Sequence, residues 1–213
     1  MSEYIRMFSL SESDTAGRIL DCGGGPASFN AEMTAAGHRV ISMDPIYAFD
    51  STQIEERVRE TYPKIMDGVR RAYDRFVWEA IASPEHLGEM RLEAMHKFLA
   101  DFNAGRAAGR YQVQSLPQLT FADDSFDLAL VSHLLFLYSD EMDCAFHIES
   151  LRELLRVAAE VRVFPLLAMD GNPSPHITGV TDALAAAGCS VRLQKVNYEF
   201  QRGGNTMLVA GRS

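Results

Sequence analysis

Short apolar runs that end in glycine or proline, each followed by a stretch of helical composition, recur along most of this chain. Residues 18–23 (RILDCG) read as a buried strand stopped by glycine, and 26–39 (PASFNAEMTAAGHR) as a helix with Gly37 at its end. Residues 39–45 (RVISMDP) read as the next strand, closed by Pro45. Residues 126–138 (FDLALVSHLLFLY) hold another continuous apolar strand, 140–158 a helix, 159–167 (AEVRVFPLL) a strand and 179–189 a helix stopped by Gly188. Two strands, 190–200 and 205–212, close the chain around the turn QRGGN. Strands alternating with helices predict an α/β fold with a doubly wound, mostly parallel sheet and right-handed crossovers. A hairpin at the end predicts one antiparallel C-terminal strand.

One stretch breaks this rhythm, so a helical insertion is expected at 48–110, after the second strand. Apolar Ile54, Val58, Tyr62, Ile65, Val69, Tyr73, Phe76 and Ala80 recur at spacings of three and four, one stripe of an amphipathic helix that Pro63 should kink or interrupt. A second helix is predicted from Ser83 as N-cap and Pro84 at the first position to near Gly105, with a stripe of Leu87, Met90, Met95, Phe98, Leu99 and Phe102. The pair can simply pack on the sheet, and it can also form a lid over a ligand.

At 213 residues, 47% hydrophobic and 23% charged, the chain fits one soluble domain over 1–213. Its net charge of −9, from 29 acids against 20 bases, opposes a nucleic-acid ligand, whose phosphates call for a basic surface. Arg57, Arg59, Lys64, Arg70 and Arg71 alternate with acids and read as a solvated helix face. No apolar run approaches the roughly 20 residues that span a bilayer, so no membrane partner is expected. The opening residues MSEYIRMFSLSESD lack the layout of a secretory signal, and a cytoplasmic location is the expectation. Cys22, Cys144 and Cys189 are widely spaced and suggest buried reduced thiols and no metal site.

The turn Gly23, Gly24, Gly25 after the first strand lets a ligand approach the backbone at a helix N-terminus. A dinucleotide fingerprint would need glycine at Ser28, and the Asp21 carboxylate beside the turn would repel a pyrophosphate. A cationic ligand reverses that electrostatic sign. S-adenosylmethionine carries an ammonium and a sulfonium, which an acid at the strand end attracts. Asp44, 19 residues after Gly25, stands where a carboxylate accepts both ribose hydroxyls. The plainer alternatives are that Asp21 caps the turn and that Asp44 caps the helix beyond Pro45.

These residues resemble the class I S-adenosylmethionine-dependent methyltransferases. Leu20, Asp21, Gly23 and Gly25 match the family's hydrophobic-Asp-x-Gly-x-Gly motif, with Ala27 at a frequent third glycine. Asp44 matches the acid after the second strand, beside Pro45, with Ile46 or Tyr47 to pack on adenine. LTFADDSFD, 119–127, is similar to the LPF-x-D-x-SFD segment before the fourth strand, with Thr120 in place of proline. DPIY, SHLLFLYSD and NYEFQRGGN look like a group of small bacterial methyltransferases. The resemblance implies a Rossmann-like fold and S-adenosylmethionine as cofactor. Where many members carry an acid for the adenine amino group, this chain has Ser115, or Gln114 if the loop slips by one.

Ligands in such sheets sit at the carboxyl ends of the strands, which puts Ser132 and His133 at the mouth with Tyr138 further on. His133 suits proton transfer near neutrality, or it shapes the pocket. His147 reads as helix packing. Arg202 suits an acceptor carboxylate or lies in a solvated turn. No G-x-S-x-G elbow and no acid pair for a metal are present. Direct methyl transfer to a small-molecule or peptide acceptor is the leading expectation. The alternatives are a nicotinamide-dependent oxidoreductase and a non-catalytic module that binds S-adenosylmethionine.

Overall fold

The computed structural model describes residues 1–212. Its strands are β1 (Arg18–Cys22), β2 (Arg39–Met43), β3 (Tyr111–Gln112), β4 (Phe126–Ser132), β5 (Ala158–Phe164), β6 (Ser190–Lys195) and β7 (Thr206–Gly211). Its helices are α1 (Ser2–Met7), α2 (Glu12–Ala16), α3 (Phe29–Ala35), α4 (Ser51–Arg71), α5 (Pro84–Ala107), α6 (Cys144–Val157) and α7 (Ile177–Ala186). The strands form one sheet in the order β3-β2-β1-β4-β5-β7-β6. The first five in that order are parallel, and β7 runs antiparallel to both β5 and β6. This is the doubly wound, mostly parallel sheet that the alternating pattern predicts, with its antiparallel strand at the C-terminus.

Strand side chains alternate between faces, and both faces are buried, which is why these strands read as continuous apolar runs. Leu20, Cys22, Ala129 and Val131 join Leu151 and Leu154 of α6 and Val180 and Leu184 of α7 in one core. Ile19, Leu128 and Leu130 face the other way, against Met7 and Phe8 of the N-terminal segment and Phe29 and Met33 of α3. Burying each such side chain fully is worth about 1.5–3 kcal/mol. Asp21 shares the Ile19 face by the same alternation.

The insertion holds α4 and α5. Asp50 caps α4 by a capping box with Gln53, and the Ser83 hydroxyl accepts the His86 amide at 3.1 Å to start α5. Phe98 and Phe102 of α5 bury against Ile54, Tyr47 and Tyr111, so α5 is fastened to the sheet edge. Gly105 permits that contact, since a Cβ there would lie 2.4 Å from the Tyr111 ring.

Two expectations need correction. α4 continues through Pro63, which is exposed, so the hydrogen bond it cannot donate falls where solvent can serve the freed carbonyl. The helix stops at Arg71, so Tyr73, Phe76 and Ala80 do not extend its stripe. Instead Val77 donates to the Phe200 carbonyl at 2.8 Å and Arg202 to the Arg75 carbonyl at 2.8 Å, which ties this segment to the β6–β7 connection. Within α4, Arg57 pairs with Glu60, Arg59 with Glu55 and Arg70 with Asp67. No helix among the described residues is long and apolar enough to cross a membrane.

Candidate functional site

The glycine turn is held from below by main chain and from the side by two side chains. The Gly23 and Gly24 amides both donate to the Met43 carbonyl, at 2.8 and 3.2 Å. The Asp44 carboxylate accepts the Gly25 amide at 3.0 Å and the Ile46 amide at 2.8 Å. The Tyr47 hydroxyl donates to the Gly25 carbonyl at 2.8 Å. A Cβ on Gly24 would lie 2.5 Å from an Asp21 oxygen and 2.8 Å from the Tyr47 hydroxyl. The middle glycine is therefore required by the protein's own close approach.

Asp21 lies beneath this turn, only 1% exposed, and does not stand at an open strand tip. One oxygen accepts the Ser42 hydroxyl at 2.7 Å and the other the Tyr4 hydroxyl at 3.2 Å. Burial raises its pKa to about 6, against the lowering effect of those two donors and with a small push from Asp44. Burial also raises Asp44, while its two backbone donors oppose the rise. Asp44 thus caps the 3₁₀ turn at Pro45–Ala48, as the plainer reading allows, and keeps further lone pairs on the cavity side.

Gly23, Asp44, Pro45, Gln114 and Ser115 come together around one cavity of about 210 Å³, closed by Leu116, Leu134, Met142 and Phe146. The last three lie on the loop after β4 and on α6, and no motif marks them. Gln114 is partly committed, since its side chain accepts the Thr120 amide at 2.8 Å and donates to Gln112 at 2.9 Å. Ser115 is exposed. Ile46 and Gly24 line a second cavity of about 550 Å³, roofed by α4 and α5 and largely apolar, with Arg57 and Arg91 among its lining. Tyr47 does not face a ligand. It is 1% exposed and packs among Phe98, Phe102 and Tyr111, which leaves only its hydroxyl for the turn.

At the end of β4, Ser132 is buried and its hydroxyl lies 2.9 Å from Nδ1 of His133. His133 has a φ of 51°, in the left-handed region, and its side chain is exposed, but neither it nor Ser132 lines either cavity. The protein crowding its inner side, together with the Arg91 charge, lowers its pKa to about 4, while Glu3 opposes that shift. His133 is therefore neutral at pH 7. Tyr138 is 37% exposed on a 3₁₀ turn and lines neither cavity.

Sequence reasoning misses the N-terminal contribution. Arg91 of α5 pairs with Glu3 at 2.9 Å, and Tyr198 donates to the same carboxylate at 2.7 Å. Tyr4 stacks on Phe29 with ring centroids 4.1 Å apart. These contacts span the whole chain, so no local pattern signals them. Arg202 donates to the Asp74 and Phe76 carbonyls at 3.2 and 3.3 Å, which commits it to a structural tie and not to an acceptor carboxylate. His147 is fully buried, with Nδ1 2.7 Å from the Asp143 carbonyl, in keeping with helix packing. No group of three or more His, Cys, Asp or Glu side chains among the described residues is placed to hold a metal ion.

No family model matches the chain. Among solved structures, mitomycin 7-O-methyltransferase MmcR aligns at a TM-score of 0.53 and 13% identity over 100% of this chain, which spans 53% of that protein. An O-methyltransferase family protein from Burkholderia thailandensis aligns at 0.51 and 12% identity over 96% of this chain and 54% of its own. Both likenesses show the fold, that of the class I S-adenosylmethionine-dependent methyltransferases. Methanocaldococcus jannaschii protein MJ0045, an uncharacterized protein, is 32% identical over 212 residues, 99% of this chain and 93% of its own length. With that identity sustained over nearly its whole length, the chain belongs to the family of MJ0045.

Proposed function

We propose that this protein is an S-adenosylmethionine-dependent methyltransferase acting on a small-molecule acceptor. The observation that carries the reading is the junction of Gly23, Asp44, Pro45, Gln114 and Ser115 around one cavity, on the open side of a glycine turn with an acid buried beneath it. The residues fit the cofactor. Asp44 offers acceptor lone pairs for vicinal ribose hydroxyls, Ser115 a hydroxyl for the base, and Leu134, Met142 and Phe146 apolar walls for a flat ring. Asp21, once ionised, supplies negative potential under the turn.

Bound S-adenosylmethionine supplies a methyl group on a positively charged sulfur. The chain's own work is to align an acceptor with that carbon and to exclude water. The second cavity, about 550 Å³, is of small-molecule size and shares Gly24 with the turn. We assign the acceptor to it, and we read 48–110 as an insertion within a single domain, with α4 and α5 as its roof. His133, just beyond the carboxyl end of β4, is the candidate base. MmcR, a neighbour in fold, is named for an O-methyl transfer, which agrees with a small acceptor.

A nicotinamide-dependent oxidoreductase is the less supported reading, because a pyrophosphate would meet Asp21 and Asp44 without a compensating cation in the 210 Å³ cavity. Calorimetry with S-adenosylmethionine, S-adenosylhomocysteine and NADH tests the choice. Binding of the first two and not the third is expected, and the reverse would overturn the proposal. Formation of S-adenosylhomocysteine across a panel of small acceptors then separates an enzyme from a binding module that has lost its chemistry.

A further inference from the structure

The cavity of about 550 Å³ under α4 and α5 has a sign as well as a size. The chain carries 29 acids against 20 bases, yet the described residues that line this cavity include two arginines and no carboxylate. Another cavity, about 540 Å³ and beside the β6–β7 connection, is the reverse: Glu3, Glu79 and Glu199 outnumber Arg6 and Arg202 in its wall. Val58, Ile65, Met66, Leu87 and Met95 make the wall under the two helices mostly apolar. Ile65 is 59% exposed, so the cavity opens to solvent along α4.

Few polar side chains interrupt that wall, and those with protons to spare are donors. Thr61 is spent, because its hydroxyl donates to the Arg57 and Val58 carbonyls at 2.9 and 3.2 Å. The Tyr62 hydroxyl lies against Gly88 and makes no hydrogen bond with a described residue. Arg91 gives both terminal nitrogens to Glu3, at 2.9 and 3.3 Å, so its charge is answered within the protein. Arg57 is different. Its ion pair is with Glu60 at 3.5 Å, and the two side chains are 71% and 69% exposed. So loose a pair in solvent is worth little, and exchanging Glu60 for a ligand's carboxylate costs little. Spare donors in an apolar wall without an acid call for a ligand that brings acceptors and negative charge on an apolar body.

We propose that the acceptor taken by this cavity is an apolar carboxylate, and that Arg57 is the residue that selects for its charge. The inference rests on the methyltransferase reading given above and names the acceptor class of that same site. The apolar body lies against Val58, Met66, Leu87 and Met95, and the carboxylate takes a two-pronged hydrogen bond from the Arg57 guanidinium. Tyr62 offers one further donor. Because Gly24 and Ile46 belong to the same lining, a molecule that fills the cavity touches the glycine turn. An amide of the same body keeps the apolar contacts and loses the ion pair, so the cavity discriminates by charge more than by shape.

Naphthoate and naphthamide, one two-ring body with and without the charge, are the probes. Each is titrated into the uniformly ¹⁵N-labelled full-length protein at neutral pH, and amide chemical shifts report both place and affinity. Shifts should cluster on Gly24, Ile46 and residues 57–66 and 87–95, which hold the lining. Naphthoate should bind about tenfold tighter than naphthamide at low ionic strength, as a charge-assisted hydrogen bond provides. Arg57→Gln should erase most of that preference, Arg57→Lys should keep most of it, and added salt should shrink it. Ala94→Trp fills the cavity from α5 and should abolish binding of both probes, while the same spectra show that each variant is folded. Equal affinity for the two probes, a preference indifferent to Arg57→Gln, or shifts confined to another part of the molecule overturns the inference. Calorimetry with S-adenosylmethionine on the native sample keeps the two readings apart. Failure of that cofactor to bind would sink the functional proposal and leave a charge-selective cavity standing, whereas cofactor binding with naphthamide equal to naphthoate would sink only the inference.

Discussion

The Gly25 amide donates to the Asp44 carboxylate at 3.0 Å, which locks the turn after β1 to the end of β2 across 19 residues of sequence. One acid therefore shapes the loop and faces the cavity at the same time. The adjacent Ile46 amide, 2.8 Å from the other oxygen, fixes the carboxylate plane.

Asp44→Ala should weaken S-adenosylmethionine binding by about ten- to a hundredfold, the loss of a charge-assisted hydrogen bond worth about 1.5–3 kcal/mol. Because two backbone amides also lose their acceptor, the melting temperature should fall as well. Calorimetry on the folded variant checks the first outcome, and unchanged affinity would reject the cofactor role.

Gly24→Ala forces a methyl group to within 2.5 Å of the buried Asp21 oxygen. Overpacking of this kind costs about 1–3 kcal/mol. Urea unfolding should show that loss, and a neutral substitution would mean that the turn is looser than described.

The stability of the unliganded protein should carry a distinct pH signature from Asp21. Its folded pKa, about 6, lies above the ordinary carboxylate value, so the folded chain holds this proton longer than the unfolded one. The contribution is fully present below the ordinary carboxylate range and is lost as pH rises through about 6. Relative to Asp21→Asn, the native protein should lose stability between pH 5 and pH 7.5 (about 1.36 kcal/mol per unit of pKa difference). Parallel urea titrations of the two proteins measure this, and a flat difference contradicts it.

The N-terminal segment that carries Tyr4 is held by Arg162, which donates to the Phe8 carbonyl at 2.8 Å and to Asp14 at 3.0 and 3.2 Å. Asp14→Ala leaves Glu160, 2.7 Å from Arg162, as the remaining ion-pair partner and removes the α2 capping box, and it should cost about 1–2 kcal/mol. Hydrogen exchange should show residues 2–16 losing protection ahead of the sheet. Uniform loss across the molecule would show instead that this segment unfolds only with the whole.

The sequence alone determined the sheet and the edge that carries the candidate site. Alternating apolar runs and glycine or proline stops specify β1, β2, β4 and β5 with their crossovers, because period and punctuation are local properties of the chain. Gly23, Gly25 and Asp44 were legible for the same reason, since a βαβ unit fixes where the ends of its two strands meet. The insertion was legible as two helices, but not where the first would stop, because Arg71 is followed by a tie to the β6–β7 connection that no local pattern shows.

Only the tertiary structure decided what surrounds those motifs. It put Asp21 under the turn, because strand alternation sends its side chain to the face that the N-terminal segment and α3 cover. It gave Tyr47 to an aromatic core and Arg202 to two carbonyls, and it brought Glu3 together with Arg91 and Tyr198. Such contacts join residues up to 195 positions apart, as Glu3 and Tyr198 are, and depend on how finished elements dock. Their chemistry follows from desolvation and neighbouring charge, which exist only once the chain has folded.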